Sequence, residues 1–175
     1  MLSSRIGRGL AAGLVAIALP VLAGCGSDAS QTPYTPADGV WTNHDALQLR
    51  NVVAVAPREG EATLVGVIFN TGSRADALTG VRVTGGRGMV GSGTLPLPAG
   101  GTRVLGVDTI LGAAVPTALT GAGLKPGLVV PVTFEFRRAG SVRLDILVVP
   151  RKGFWATVPP PGGPTPKRTA KPIPG

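Results

Sequence analysis

The most regular pattern in the chain is an alternation of apolar and polar residues on both sides of Ala139-Gly140. Successive side chains of a β-strand point to opposite faces, so this alternation predicts a hairpin that is buried on one face. Glu135, Arg143 and Asp145 fall on the opposite, solvent-facing side of the predicted hairpin. The predicted buried positions are Val130, Val132, Phe134, Phe136, Val142, Leu144, Ile146 and Val148.

Shorter strands are predicted upstream of this hairpin, separated by turns rich in glycine, proline and asparagine. Leu47, Leu49, Asn51, Val53 and Val55 have the spacing of one strand face. Further candidate strands are residues 61–70 (apolar on both faces), 77–84, 94–97 and 102–107, and the glycine-rich residues 85–93 are expected to be a connection. About seven short strands without an amphipathic helix predict an all-β, antiparallel, Ig-like β-sandwich over residues 46–150.

The N-terminal residues have the pattern of a secretory signal peptide. Arg5 and Arg8 precede an apolar run from Leu10 to Leu22, which is shorter than the roughly 20 residues of a membrane-spanning helix. The following Ala23-Gly24-Cys25 resembles the lipobox of bacterial lipoproteins, in which the cysteine thiol receives a diacylglycerol. We therefore expect residues 1–24 to be removed and the exported protein to be lipid-anchored through Cys25 to the outer face of the cell membrane. An ordinary signal peptide followed by an incidental cysteine is the alternative.

Both ends of the predicted sandwich are flanked by segments with little apolar surface. Residues 25–45 are polar and contain Pro33, Pro36 and Gly39, which predicts a flexible tether. Residues 151–175 are rich in proline and basic residues, which predicts an extended, disordered tail. Phe154 and Trp155 lie at the start of this tail and are expected to cap the sandwich, with an exposed contact point as the alternative.

Charge and the scarcity of catalytic groups restrict the function. Without Arg5 and Arg8 the chain carries 15 basic and 9 acidic residues, a net charge of +6. For an exported protein the available partners of such a charge are anionic lipid headgroups or wall polymers rather than nucleic acid, but dispersed solubilising charge is the favoured explanation of this count. The only histidine, His44, lies in the predicted tether, and the acidic residues are spread singly. We therefore predict no catalytic site and no enzyme activity.

Several motifs occur in an order typical of a known family. They are Asn70-Thr71-Gly72, Leu78-Thr79-Gly80-Val81, Leu95-Pro96-Leu97-Pro98-Ala99-Gly100-Gly101, Leu119-Thr120-Gly121, Leu124-Lys125-Pro126-Gly127 and Val130-Pro131-Val132-Thr133-Phe134-Glu135-Phe136. Over residues 46–150 the chain resembles the periplasmic copper chaperones of the PCu(A)C type, and among these the actinobacterial LpqE-like lipoproteins. The resemblance implies a cupredoxin-like β-sandwich.

The same resemblance implies where copper ligands would lie. The family holds Cu(I) with paired His and Met, which are soft ligands suited to that ion. The positions of the second pair are occupied by Pro116 and Ala118, and Met89 alone remains of the first pair. We therefore predict no metal site and no cofactor, with His44 and Met89 as the only weak candidate ligands.

Three functions remain open from the sequence. The favoured one is a non-enzymatic binding or scaffolding module of the bacterial cell envelope, whose partner is an envelope protein or an anionic wall polymer. The alternative is an extracytoplasmic copper-binding chaperone with a site around His44 and Met89. The third, an accessory enzyme of wall or lipid metabolism, lacks a clustered catalytic base.

Overall fold

The computed structural model describes residues 39–164 of the chain. The predicted signal peptide, Cys25, most of the predicted tether and the last eleven residues lie outside these described residues. Within residues 39–164 there is one 3₁₀ helix, Gly153–Thr157, and no helix long and apolar enough to cross a membrane. The strands in this range are β1 Val40–His44, β2 Leu47–Arg58, β3 Glu61–Asn70, β4 Asp76–Val83, β5 Gly86–Val90, β6 Leu95–Leu97, β7 Thr102–Leu105, β8 Ala114–Val115, β9 Thr117–Gly121, β10 Val129–Phe136 and β11 Gly140–Pro150.

Seven of these strands form a closed circuit of hydrogen-bonded neighbours. The order is β2-β11-β10-β4-β5-β9-β3, and β3 pairs again with β2. The prediction of an all-β, sandwich-like fold is confirmed. Most strand pairs are antiparallel as expected, but β11 pairs with β2 in parallel, and β7 pairs with β8 in parallel. A closed circuit with an odd number of strands cannot alternate in direction at every step, so at least one pair must be parallel.

The hairpin predicted around Ala139-Gly140 is confirmed by β10 and β11. Val132 lies opposite Leu144 and Phe134 opposite Val142, and all four side chains are buried in the main hydrophobic cluster. On the other face, Arg143 and Asp145 are exposed as predicted. Glu135 is only partly exposed, because it forms an ion pair with Arg82 on the neighbouring strand β4.

The first long strand, β2, departs from the predicted alternation at Asn51. This residue has φ of 51°, and the pairing of β2 with β3 shifts between Arg50 and Val53. Such a bulge inserts one extra residue and reverses which face the following side chains occupy. The predicted single face is therefore wrong: Leu47 and Leu49 lie in the main cluster, whereas Val53 and Val55 belong to a second cluster.

The predicted glycine-rich connection contains a strand. β5 pairs with both β4 and β9, and Gly88 is its point of contact with Val81 and Leu119. A Cβ atom built on Gly88 would lie 2.8 Å from a methyl carbon of Val81 and 2.9 Å from one of Leu119. Glycine therefore permits the close approach of three strands here, which is one reason why glycine occurs inside strands.

The folded part of the chain extends beyond the predicted range of residues 46–150 at both ends. Residues 40–44 fall within the predicted tether but form β1, which pairs with β2. Arg50 of β2 holds β1 in place: its guanidinium lies over the Trp41 ring and donates to the carbonyl oxygen of Thr42. Residues 151–164, which we call the C-terminal segment, fall within the predicted disordered tail. They instead cover the second cluster: Val158 is buried there and Trp155 packs against it. Phe154, at 72% exposure, only contacts the Trp155 ring edge-on.

Candidate functional site

The segments that the family resemblance relates to copper binding are brought together by β5 and β9. Met89 lies directly opposite Ala118, and the N–H of Gly91 donates to the carbonyl oxygen of Pro116 at 2.8 Å. Met89 as a whole is about half exposed. Residues far apart in sequence thus share one position in the fold, next to strand β9.

Of Met89, Pro116 and Ala118, only Met89 has a donor atom in its side chain. Copper(I) is selected by several thioether, thiolate or imidazole ligands that converge, whereas Pro116 and Ala118 have side chains without any electron-pair donor. The C-terminal segment also lies here, since the N–H of Gly162 donates to the carbonyl oxygen of Thr117 at 2.9 Å. A Cβ atom built on Gly162 would lie 3.7 Å from the terminal methyl of Met89. The only side-chain donor atom among these three residues is therefore the Met89 sulfur, and the backbone of the C-terminal segment passes next to it.

The second candidate ligand, His44, lies on a different part of the fold. It ends β1, and its Nε2 is 2.8 Å from the carbonyl oxygen of Ala139 in the turn between β10 and β11. A carbonyl only accepts hydrogen bonds, so Nε2 carries the hydrogen and cannot at the same time bind a metal. Among residues 39–164, no group of three or more His, Cys, Asp or Glu side chains is placed to hold a metal ion.

A cleft of about 420 Å³ opens next to His44, where three turns meet. The turns join β1 to β2, β3 to β4, and β10 to β11. The cleft is lined by Asp45, Ala46, Leu47, Asn70, Gly72, Ser73, Arg74, Asp76, Arg138 and Ala139. Its volume falls within the range of small-molecule sites in proteins.

Hydrogen bonds tie each of the three turns to the other two. Thr71 donates to the carbonyl oxygen of Ala46 with both its N–H (2.8 Å) and its hydroxyl (2.9 Å), which joins the first turn to the second. The His44 contact with Ala139 joins the first turn to the third. Gly72 sits so close to Ala46 that a Cβ atom at this glycine would be 2.7 Å from the Ala46 methyl. The walls of the cleft are thus held in place before any ligand binds.

Asp76 joins the second turn to the third and is committed to the backbone. Its Oδ1 accepts from the N–H groups of Ala77 (2.7 Å) and Arg138 (2.9 Å), and its Oδ2 accepts from that of Ala139 (3.0 Å). Partial burial alone would raise the pKa of Asp76, but these three N–H donors and the nearby Arg138 charge lower it below its ordinary value. The carboxylate therefore stays charged, and its hydrogen bonds hold the β3–β4 turn and the β10–β11 turn together.

Two cations of the cleft remain available to a ligand. Arg74 and Arg138 are exposed, and neither takes part in an ion pair with a carboxylate among the residues that the structure describes. Sequence reasoning missed this site, because its residues come from three turns and no spacing relates them. The one available signal was the pair Arg137-Arg138 beside a turn, which has no specificity by itself.

Comparison with solved structures identifies the fold. The copper-bound PCuAC domain of PmoF2 is similar to this chain with a TM-score of 0.54 and 20% identity, covering 63% of this chain and 98% of that one. The apo PCuAC domain of PmoF1 gives 0.53 and 22% (62% and 98% covered), and the apo PCuAC domain of PmoF2 gives 0.54 and 20% (65% and 98%). No family model and no curated protein sequence matches. At these identities the likeness shows a PCuAC-like fold, which confirms that part of the resemblance.

Proposed function

We propose that this chain is an exported lipoprotein whose PCuAC-like domain serves the cell envelope as a non-enzymatic binding or scaffolding module without bound copper. One observation carries the proposal: the positions beside β9 that the resemblance relates to copper hold Met89, Pro116 and Ala118, a set with a single donor atom. A fold that keeps its architecture while its metal position lacks ligands is suited to presenting turns and surfaces to a partner. We also propose that, within the PCu(A)C type, this chain is related to the LpqE-like lipoproteins.

The membrane attachment in this proposal depends on Cys25. Acyl chains contribute about 0.8 kcal/mol per buried methylene, so two or more chains hold a protein firmly at a membrane. The Cys25→Ala variant is expected to accumulate as unprocessed precursor or to appear in the soluble fraction, whereas Ser27→Ala is processed as in the parent chain. A Cys25→Ala protein that is processed normally and still sediments with membranes would overturn the lipoprotein assignment.

A copper chaperone is the second candidate, and the fold favours it. One of the similar structures is a PCuAC domain with copper bound, and Met89 is an exposed residue on β5. In the simplest copper site of this kind, Met89 would supply one ligand and a partner protein would supply another. Our proposal and this alternative differ in the affinity of the isolated chain for Cu(I).

A competition titration against a Cu(I) chelator separates the two candidates. The full chain is used with Cys25→Ser, because a free thiolate binds Cu(I) by itself, and is compared with a Cys25→Ser/Met89→Leu chain. We expect both chains to lose the competition equally, since removal of one thioether changes little when no site exists. Sub-nanomolar binding at one ion per chain that Met89→Leu abolishes would establish the copper chaperone instead.

A further inference from the structure

We propose that the cleft between the three turns binds a phosphorylated polyol, with Arg74 and Arg138 holding the phosphate group. This inference rests on the proposed function as a binding module and names the ligand chemistry of that module. Polyol phosphates occur in the envelope as repeats of anionic polymers and as lipid headgroups. The shared chemistry is a phosphate with neighbouring hydroxyl groups.

The charges of the cleft favour an anion even though two carboxylates line it. Three backbone N–H groups donate to the Asp76 carboxylate, and the nearby Arg138 charge stabilises it further without a direct ion pair among the described residues. Arg74 and Arg138 come from different turns, and within residues 39–164 neither guanidinium forms a direct ion pair with a carboxylate. A guanidinium matches phosphate oxygens with two parallel hydrogen bonds, and bonds of this kind are stronger than neutral ones.

The remaining polar groups at the cleft select for hydroxyls rather than for a bare anion. Asp45 is exposed at the first turn with φ of 49°, and its carboxylate accepts hydrogen bonds but repels a second negative charge. Ser73 adds a hydroxyl from the second turn. Asn70 is excluded from this role, because its amide is used internally: it donates to the carbonyl oxygens of Arg74 (2.8 Å) and Leu97 (3.1 Å) and accepts from the N–H of Gly72.

The framework around these groups is ordered without a ligand. The Thr71, His44 and Asp76 hydrogen bonds fix the three turns relative to one another. Binding therefore has to order only two arginine side chains and the ligand, which reduces the entropy opposed to binding. Asp76 and His44 thus act as positioning residues, and the guanidinium groups are the parts that contact phosphate.

The test is a calorimetric titration of the full chain, in neutral detergent at low salt, with glycerol 3-phosphate. The Arg74→Gln/Arg138→Gln variant is compared with an Arg87→Gln/Arg143→Gln variant, which loses the same charge at exposed positions on β5 and β11. The cleft variant is expected to bind at least about tenfold more weakly, since each charged hydrogen bond is worth about that factor or more. The control variant is expected to bind as the parent chain does.

Three further arms make the outcome decisive. Asp45→Asn is expected to weaken binding of glycerol 3-phosphate and to strengthen binding of inorganic phosphate, because it removes a repulsive charge along with a hydroxyl acceptor. Glycerol alone is expected not to bind. Displacement by soluble poly(glycerol phosphate), or instead by short-chain phosphatidylglycerol micelles, identifies the source of the ligand.

Equal weakening in the cleft and control variants would overturn the proposal, because it would reduce the effect to overall charge. No saturable binding of glycerol 3-phosphate by the parent chain would overturn it as well. Both results are independent of the Cu(I) titration and of the fate of Cys25→Ala, so this inference can fail while the proposed function stands. Conversely, tight Cu(I) binding would refute the proposed function without changing the titrations of the cleft.

Discussion

Val158→Ala tests whether the C-terminal segment is part of the folded domain. Val158 is 2% exposed and belongs to the second cluster with Val53, Val55, Val65 and Val149. The substitution removes about two methylene equivalents at about 0.8 kcal/mol each, and the cavity left behind adds to this loss. We therefore expect the free energy of unfolding to fall by about 2 kcal/mol.

The measurement is urea unfolding of the full chain, followed by the fluorescence of Trp155, which packs against the same cluster. With an m-value of about 2 kcal/mol per molar urea, the midpoint is expected to fall by about 1 M. Val129→Ala is the matched control, since this valine is 60% exposed and the same substitution there should change stability by less than about 0.5 kcal/mol. Equal urea midpoints for the two variants would refute the packing argument and would indicate that the folded domain ends at Pro150.

Three further predictions follow from burial, hydrogen bonding and close contacts. Phe134→Ala removes a fully buried ring and is expected to reduce the free energy of unfolding by about 3–5 kcal/mol, whereas Phe154→Ala at its exposed position should change the urea midpoint little; similar losses would mean that the core is assigned wrongly. Because the folded state lowers the pKa of Asp76, its carboxylate stabilises the fold above the unfolded-state value near 3.8 and loses this effect as the pH falls through the folded-state value. Asp76→Asn should therefore be less stable than the parent at pH 7, with a difference in urea midpoint that shrinks below about pH 4; a difference that is constant with pH would contradict this account. Gly72→Ala brings a methyl within 2.7 Å of Ala46 and is expected to destabilise the domain by about 1–3 kcal/mol in thermal unfolding, a loss that the double variant with Ala46→Gly should partly recover.

The sequence predicts the parts of this fold in which alternation is uninterrupted. The β10–β11 hairpin follows from its apolar positions alone, because each strand keeps one register from end to end. In β2 the same rule fails after Asn51, since one bulged residue reverses the faces of every position that follows. Alternation carries no mark of where a bulge will occur, and the positive φ of a single asparagine is visible only in the structure.

The segments at the two ends and the cleft escaped prediction for a different reason. Residues 40–44 and 151–158 lie beside polar and proline-rich stretches and are too short to form a core by themselves, so the sequence alone does not indicate that they are ordered. Both stretches are ordered because an apolar surface made by other strands is there to be covered, as Val158 shows. The cleft likewise depends on three turns meeting around Asp76, a tertiary relation that a linear reading of the residues does not contain.

The parallel pairing of β11 with β2 has a consequence for how the chain folds during synthesis. Val148 on β11 pairs with Ala54 on β2, which is synthesised much earlier. The circuit of strands therefore cannot close until almost the whole domain has left the ribosome. Contacts between residues so distant in sequence give a high contact order, which is associated with folding in milliseconds to seconds rather than microseconds. In that interval the hydrogen-bonding edges of β2 and β10 are unpaired and prone to join other chains. Destabilised variants of this protein should therefore fail first by aggregating while they are being made, and dilution or slower synthesis should rescue them.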